Sequence, residues 1–141
     1  MTKTNLLPEL FRVIDANLNR LKEGIRVVED LMRYRDNDKE LSTKLKQLRH
    51  LAKIDESLEL LKYRDSVNDV LRPSMDSELK RSNVASIITA NFKRAQESSR
   101  VLEELFKLHS NEYSEKFKHI RYELYDLEKV IVLNETPSKR S

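Results

Sequence analysis

One charged stretch is written twice in this chain, and that repeat limits the possible folds more than any other feature. Asp15 to Leu31 reads DANLNRLKEGIRVVEDL, and Thr89 to Leu105 reads TANFKRAQESSRVLEEL. At a shift of 74 residues, Ala16, Asn17, Arg20, Glu23, Arg26, Val27, Glu29 and Leu31 recur as Ala90, Asn91, Arg94, Glu97, Arg100, Val101, Glu103 and Leu105. Asp30 recurs as Glu104, keeping its charge. Two helices sharing a core would repeat apolar spacing, but core packing does not require a repeated Asn, two Arg and two Glu.

On a wheel of about 100° per residue the first copy separates two faces. Ile14, Leu18, Leu21, Ile25, Val28 and Met32 form an apolar core stripe. Beside it runs a mixed strip of Ala16, Asn17, Arg20, Glu23, Gly24, Val27 and Leu31, with Asp30 at its edge. Because its polar members recur, the two strips are expected to face each other across a pseudo-twofold axis and line one cleft. Arg26 and Glu29 are expected to point to solvent. The competing reading is ordinary: Arg20 pairs with Glu23, and Asp30 with neighbouring helices, each pair contributing a few tenths of a kcal/mol. Gly24 is the single glycine, and inside a helix it costs about 1 kcal/mol relative to alanine. Either close helix packing or close approach of a ligand explains it. Ser98 takes its place in the second copy.

The flanking sequence turns the repeat into a pair of hairpins. Pro8 suits a first helical turn capped by Thr4 or Asn5, and the first helix is expected to reach about Arg35. Asp36, Asn37 and Asp38 make a turn, with Asp38 as cap of a second helix whose Leu41, Leu45, Leu48 and Ala52 form the buried stripe. Lys46 and Arg49 are echoed by Lys118 and Arg121 at a shift of 72. The duplicated unit is therefore a helical hairpin. Leu58, Leu60 and Leu61 suggest a short helical piece, and Tyr63 to Asp76 is an irregular connection rich in Arg, Asp and Asn. A third helix is expected from Asp76 or Ser82 to about Leu108. A fourth follows Asn111 with a seam of Tyr113, Phe117, Ile120, Leu124, Leu127 and Ile131. Tyr113, Tyr122 and Tyr125 read as packing residues. The expected architecture is all-α: one domain over 1–133, a bundle of four main helices in two pseudo-symmetric hairpins (about 8–62 and 82–132), an irregular central connection, and a disordered tail over 134–141.

Composition excludes several chemistries. No cysteine means no disulfide and no thiolate nucleophile. One glycine leaves no room for GxxxxGK[ST] or GxGxxG. A di-iron bundle needs Glu-x-x-His on two helices, but Glu23 and Glu97 are followed at that spacing by Arg26 and Arg100. The net charge of +3 is interleaved rather than blocked, so nucleic acid is not an expected partner. There is no long apolar run or signal-peptide pattern, and a soluble, cytoplasmic protein without membrane contact is expected. What remains is a cleft with paired Asn17 and Asn91, Arg20 and Arg94, and Glu23 and Glu97. Arginine forks suit phosphate oxygens, carboxylates suit magnesium or an exocyclic amine, and asparagine suits a heterocycle edge. Phosphorylated small molecules fit that profile.

The residues IDANLNRLKEGIRVVEDLMRY, KLKQLRH (Lys44 to His50), YRDSVNDV (Tyr63 to Val70) and ANFKRAQESSRVLEELFK (Ala90 to Lys107) together resemble one family. It is the small domain found before the barrel of some bacterial thiamine-phosphate synthases, and also as a standalone protein, which acts as a hydroxymethylpyrimidine-phosphate kinase. The resemblance implies ATP as co-substrate, Mg²⁺, a phosphorylated pyrimidine as acceptor, and a separate thiamine-phosphate synthase as a partner. It leaves the oligomeric state open, a homo-oligomer included. Carried onto this chain, it implies Asp15, Ala16, Asn17, Arg20, Glu23, Gly24 and Arg26 in the first motif, Arg49 and His50 in the second, and Arg64, Asp65, Asp69 and Val70 in the third. Asn91, Arg94 and Glu97 come from the fourth. Arg20, Arg94, Arg64 and Arg49 are expected to hold phosphates, with Arg20, Arg94, Asp65 and Asp69 closest to the chemistry. Asp65 and Asp69 are expected to direct the metal, and Asn17, Asn91, Glu23 or Glu97 to read the aminopyrimidine. Ser98 and Ser99 depart from the family pattern of a small residue and a leucine. A non-catalytic bundle that binds the pyrimidine phosphate or a partner synthase is the alternative.

Overall fold

The computed structural model describes residues 6–73 and 80–135. Pro8–Leu10 form a single 3-10 turn with proline in its first position, which leads into helix α1, Phe11–Asp30. The expected caps Thr4 and Asn5 lie outside the described residues. Leu31–Arg35 continue α1 as one π-helical turn. Asn37 then takes a positive φ of 51°, a left-handed conformation that asparagine tolerates better than most residues, and the chain reverses. Helix α2, Lys39–Leu51, starts where the Asp38 carboxylate accepts from the Leu41 amide at 2.9 Å. After it come α3, Ser57–Lys62, α4, Val84–Phe106, and α5, Asn111–Asn134.

Asn83 and Ser86 form a reciprocal capping box, which fixes the start of α4 at Val84, two residues beyond Ser82. The alternative start at Asp76 lies outside the described residues. The helix ends at Phe106, not Leu108, and Leu108 is exposed. Ser110 caps α5, which continues through Asn134. Glu135 forms an ion pair with Arg35, so the region expected as tail is ordered through that residue, while 136–141 lie outside the described residues.

Three cross-connections orient the hairpins. The Arg35–Glu135 pair joins the end of α1 to the end of α5. At the opposite end, the Asp55 amide donates to the Tyr113 hydroxyl at 3.1 Å and Lys116 donates to the Lys53 carbonyl, joining the residues after α2 to the start of α5. Because α5 returns along α4, α4 begins beside the end of α1 and runs antiparallel to it. Helices α1 and α4 pack on each other as one layer, and α2 and α5 cover their inner faces while leaving a groove between themselves. The core lies between the layers. Ile14, Leu21, Ile25 and Val28 of α1 meet Ile88, Phe92 and Leu102 of α4, all buried. Phe117, Ile120, Leu124, Leu127 and Ile131 of α5 are buried as the seam predicts, with Tyr113 half-buried. Tyr122 and Tyr125 differ from expectation. They stand at the surface, 52% and 39% exposed, with the Arg121 guanidinium over their rings.

The departure at Ser98 and Ser99 is absorbed. Both are buried, and the Ser99 hydroxyl donates to the Phe117 carbonyl at 2.6 Å, so no unpaired polar group results at that position.

Candidate functional site

The repeated charges divide into those that hold the fold and those that do not. Glu29 does not point to solvent as its wheel position suggested. It is 1% exposed, and Arg49 of α2 forks onto it at 2.6 and 3.1 Å. The second copy repeats the arrangement: Arg121 of α5 donates twice to buried Glu103, at 2.7 and 3.2 Å. The wheel failed because helix α2 stands on that flank of α1, and its arginine supplies the counter-charge. Both guanidinium groups are held above their ordinary basicity. The hydrogen bond to Glu29 is the largest cause for Arg49, and that to Tyr125, followed by Glu103, for Arg121. Further out, Arg26 pairs with Asp30 at 3.1 Å and Arg100 with Glu104 at 3.0 Å. Such exposed i,i+4 pairs contribute about 0.3–0.5 kcal/mol each. Asn17 and Asn91 share one conformation too, each donating to the carbonyl four residues back, at 2.8 Å.

Arg20, Glu23, Arg94 and Glu97 behave differently. All four are exposed, and among the described residues none makes a hydrogen bond or an ion pair. The pairing of Arg20 with Glu23 that an ordinary helix surface would offer is not formed. Gly24 shows how close these charges lie to the helix seam. A Cβ on Gly24 would sit 2.9 Å from the Asn91 carbonyl oxygen and 3.3 Å from the Ala95 Cβ. Close helix packing therefore requires the glycine, and α1 at residue 24 is level with the turn 91–95 of α4. Four residues back along α1 and four forward along antiparallel α4, Arg20 is level with Glu97. By the same register Glu23 is level with Arg94. The pseudo-twofold axis passes near Leu21 and Ala95, equivalent positions of the repeat. Ala16, Arg20, Glu23 and Val27 lie on the outer face of the layer, away from α2 and α5.

The central connection meets this face at one edge. Arg64 forks onto Asp15 at 2.7 and 2.8 Å, and Arg12 donates to the Asp65 carbonyl at 3.1 Å. Asp15, with Glu23 contributing at longer range, keeps Arg64 firmly protonated. Sequence reasoning assigned no role to Arg12 and did not foresee that Asp15 would bind Arg64. The one available signal was that the repeat breaks there, Asp15 becoming Thr89. Asp65 caps its own turn, accepting from the Asn68 amide at 3.1 Å and the Asn68 side chain at 2.6 Å, which together hold its carboxyl below the usual range. Asp69 Oδ1 accepts from the Leu71 amide at 3.0 Å. Among the described residues no three Asp, Glu or His side chains cluster as a metal cage. Magnesium carried by a nucleotide takes most of its ligands from phosphates and water and needs only one or two carboxylates, a donor set these aspartates fit. His50 is exposed on α2.

The open groove between α2 and α5, about 880 Å³, has Leu41, Leu48 and Leu127 on its floor and Glu40, Glu123 and Asp126 on its rim. It lies on the far side of the molecule from the unpaired repeat charges.

Fold and site define a duplicated helical protein whose two halves present equivalent unpaired Arg and Glu side chains along one seam. The chain matches the ThiD2 family over residues 12–130 and belongs to that family. It is 40% identical over 126 residues to a thiamine-phosphate synthase of Thermosynechococcus vestitus, an alignment covering 89% of this chain and 36% of that protein. Proteins of the same name from a Nostoc species (36% identical, 84% of this chain, 34% of the relative) and a Synechocystis species (38%, 83% and 34%) are also similar. The chain thus spans about a third of the length of these relatives. No solved structure matches it. No helix among the described residues is long and apolar enough to cross a membrane.

Proposed function

We propose that the chain is a kinase of thiamine biosynthesis, transferring the γ-phosphoryl group of ATP to 4-amino-5-hydroxymethyl-2-methylpyrimidine phosphate. The observation that carries this reading is the set of four repeated charges that no fold contact uses, lying beside the α1–α4 seam. The relatives' names supply the thiamine context. Phosphoryl transfer needs positioning and charge neutralisation more than covalent help. A phosphate oxygen of the acceptor bonds to Pγ while the bond from Pγ to the β,γ-bridging oxygen breaks, and ADP leaves with that electron pair. A dianionic monophosphate and ATP⁴⁻ become a trianionic diphosphate and ADP³⁻, so no proton has to move.

Arg20 and Arg94 hold phosphates in this account, and Arg64 is a third cation fixed at the edge by Asp15. Asn17, Asn91, Glu23 and Glu97 read the aminopyrimidine edges. Asp69 and Asp65 would hold Mg²⁺ on the nucleotide, where it would supply neutralisation of the charge developing on the phosphates. Arg49, engaged by Glu29, serves through the placement of α2, with His50 next to it. The test is incubation with the pyrimidine phosphate, ATP and Mg²⁺. The expected products are ADP and the pyrimidine diphosphate in equal amounts, falling at least about 100-fold in Arg20→Ala, roughly 2.7 kcal/mol in the barrier. Activity of that variant within about threefold of wild type contradicts the assignment.

A second reading, a non-catalytic module serving a thiamine-phosphate synthase, draws on the relatives' name and on the shared third of their length. A melting temperature that rises with the pyrimidine phosphate, without turnover, supports it.

A further inference from the structure

We infer that the outer face of the α1–α4 layer carries two half-sites of one composition, and that it holds two aminopyrimidine phosphates at once, one on each side of the pseudo-twofold axis. The inference rests on the kinase reading of the same face and adds how its two substrates are arranged. The register of the seam puts Arg20 of α1 level with Glu97 of α4, with Asn17 on the same side of the axis. On the other side stand Arg94, Glu23 and Asn91. Each half-site is therefore assembled from both helices and contains one Arg, one Glu and one Asn, and among the described residues neither Arg and neither Glu makes a hydrogen bond or an ion pair, Arg64 acting on Glu23 only at longer range. A single ligand would need one such set. Two sets at one axis suit two ligands that present the same groups.

The two substrates of the proposed reaction do present the same groups. The six-membered ring of adenine and the acceptor pyrimidine both carry an amino group beside a ring nitrogen, a donor–acceptor edge that a carboxylate and an amide can read. Both also carry phosphate, which an arginine fork suits. Neither half-site contains a feature that excludes the other substrate by charge. The halves differ at Asp15 and Arg64, which border the first copy and have no counterpart in the second, where Thr89 stands at the equivalent of Asp15. That asymmetry gives the two ligands their order; the shared composition lets the acceptor enter both halves when no nucleotide competes.

The experiment is a calorimetric titration of the full chain with the pyrimidine monophosphate alone, and a rate measurement at rising acceptor and fixed ATP. Two molecules are expected to bind per chain. Glu23→Gln and Glu97→Gln, exposed positions where the amide keeps the shape, are each expected to leave one, and the double variant none. Excess acceptor is expected to inhibit turnover competitively with ATP. One molecule bound by wild type, with both variants weakening that single event, overturns the two-half-site arrangement while ADP and diphosphate production leaves the kinase reading standing. Two molecules bound regardless of either substitution also overturns it. No binding and no turnover removes both readings.

Discussion

The two halves of the molecule are built alike where each hairpin fastens its own two helices and unalike where the central connection and the helix crossing intervene. Glu29–Arg49 and Glu103–Arg121 fasten the outer helix of each hairpin to its inner helix. Asn17 and Asn91 make the same bond to their own helices, and Arg26–Asp30 and Arg100–Glu104 the same exposed pair. Then the likeness stops: Asp15 binds Arg64 from the connection, where the second half has Thr89, and Gly24 occupies a helix crossing where the second half has Ser98. The repeat has two separable parts. One secures each hairpin, and the other, with no partner in the fold, is the part that the proposed function assigns to a ligand.

The largest effect should come from the fastening pairs. Removing one partner of a buried ion pair leaves a desolvated charge uncompensated and costs about 3–5 kcal/mol. Arg49→Ala strands Glu29, whose side chain is 2% exposed, and should lower the unfolding free energy by that amount in urea titration. Arg121→Ala should cost less, since Glu103 is 7% exposed and keeps Arg100 at 3.5 Å. Equal and negligible losses would remove the fastening role from both halves.

At the crossing, Gly24→Ala gains about 1 kcal/mol of helix propensity but forces a methyl group against the Asn91 carbonyl and the Ala95 side chain, an overpacking of about 1–3 kcal/mol. A net loss of up to about 2 kcal/mol is expected, against a change within about 0.5 kcal/mol for a typical exposed helix substitution. A stabilised Gly24→Ala protein would show that the helices part easily, and that the glycine serves a ligand rather than the packing.

The smallest effect separates the connection from both halves. Asn68 holds the Asp65 carboxyl below its ordinary 3.8, so the folded group stays ionised to lower pH than the unfolded one. The contribution of this turn is therefore fully present above pH 3.8 and lost as pH falls below it through the depressed folded value. The Asn68 side-chain amide resonances should stay constant from neutral pH down to that point and move only beneath it. Movement well above it would show that the turn is not formed in solution.

Much of this was legible in the sequence, and the failures share a cause. The apolar period gave helices α1, α2, α4 and α5, and Asp38 announced the start of α2. Glu29 was misjudged because a wheel locates a side chain on its own helix and says nothing of which neighbour covers that flank. The echo of Arg49 in Arg121 was the available clue, since two arginines kept at one spacing imply two kept carboxylates. Asp15–Arg64 and Arg35–Glu135 join residues far apart in the chain, a distance over which spacing carries no information. The exposed apolar residues of the connection, Val67, Val70 and Leu71, gave no period at all.

On the proposed function Arg20 and Arg94 serve chemistry and not folding, and urea stability and phosphoryl transfer measured on one preparation of the Arg20→Ala, Arg94→Ala double variant separate the two. The expected unfolding free energy lies within about 0.5 kcal/mol of wild type, as for surface positions outside any contact network, together with loss of at least about 100-fold in product formation. A stability loss above about 2 kcal/mol, or product formation within about threefold of wild type, contradicts that assignment.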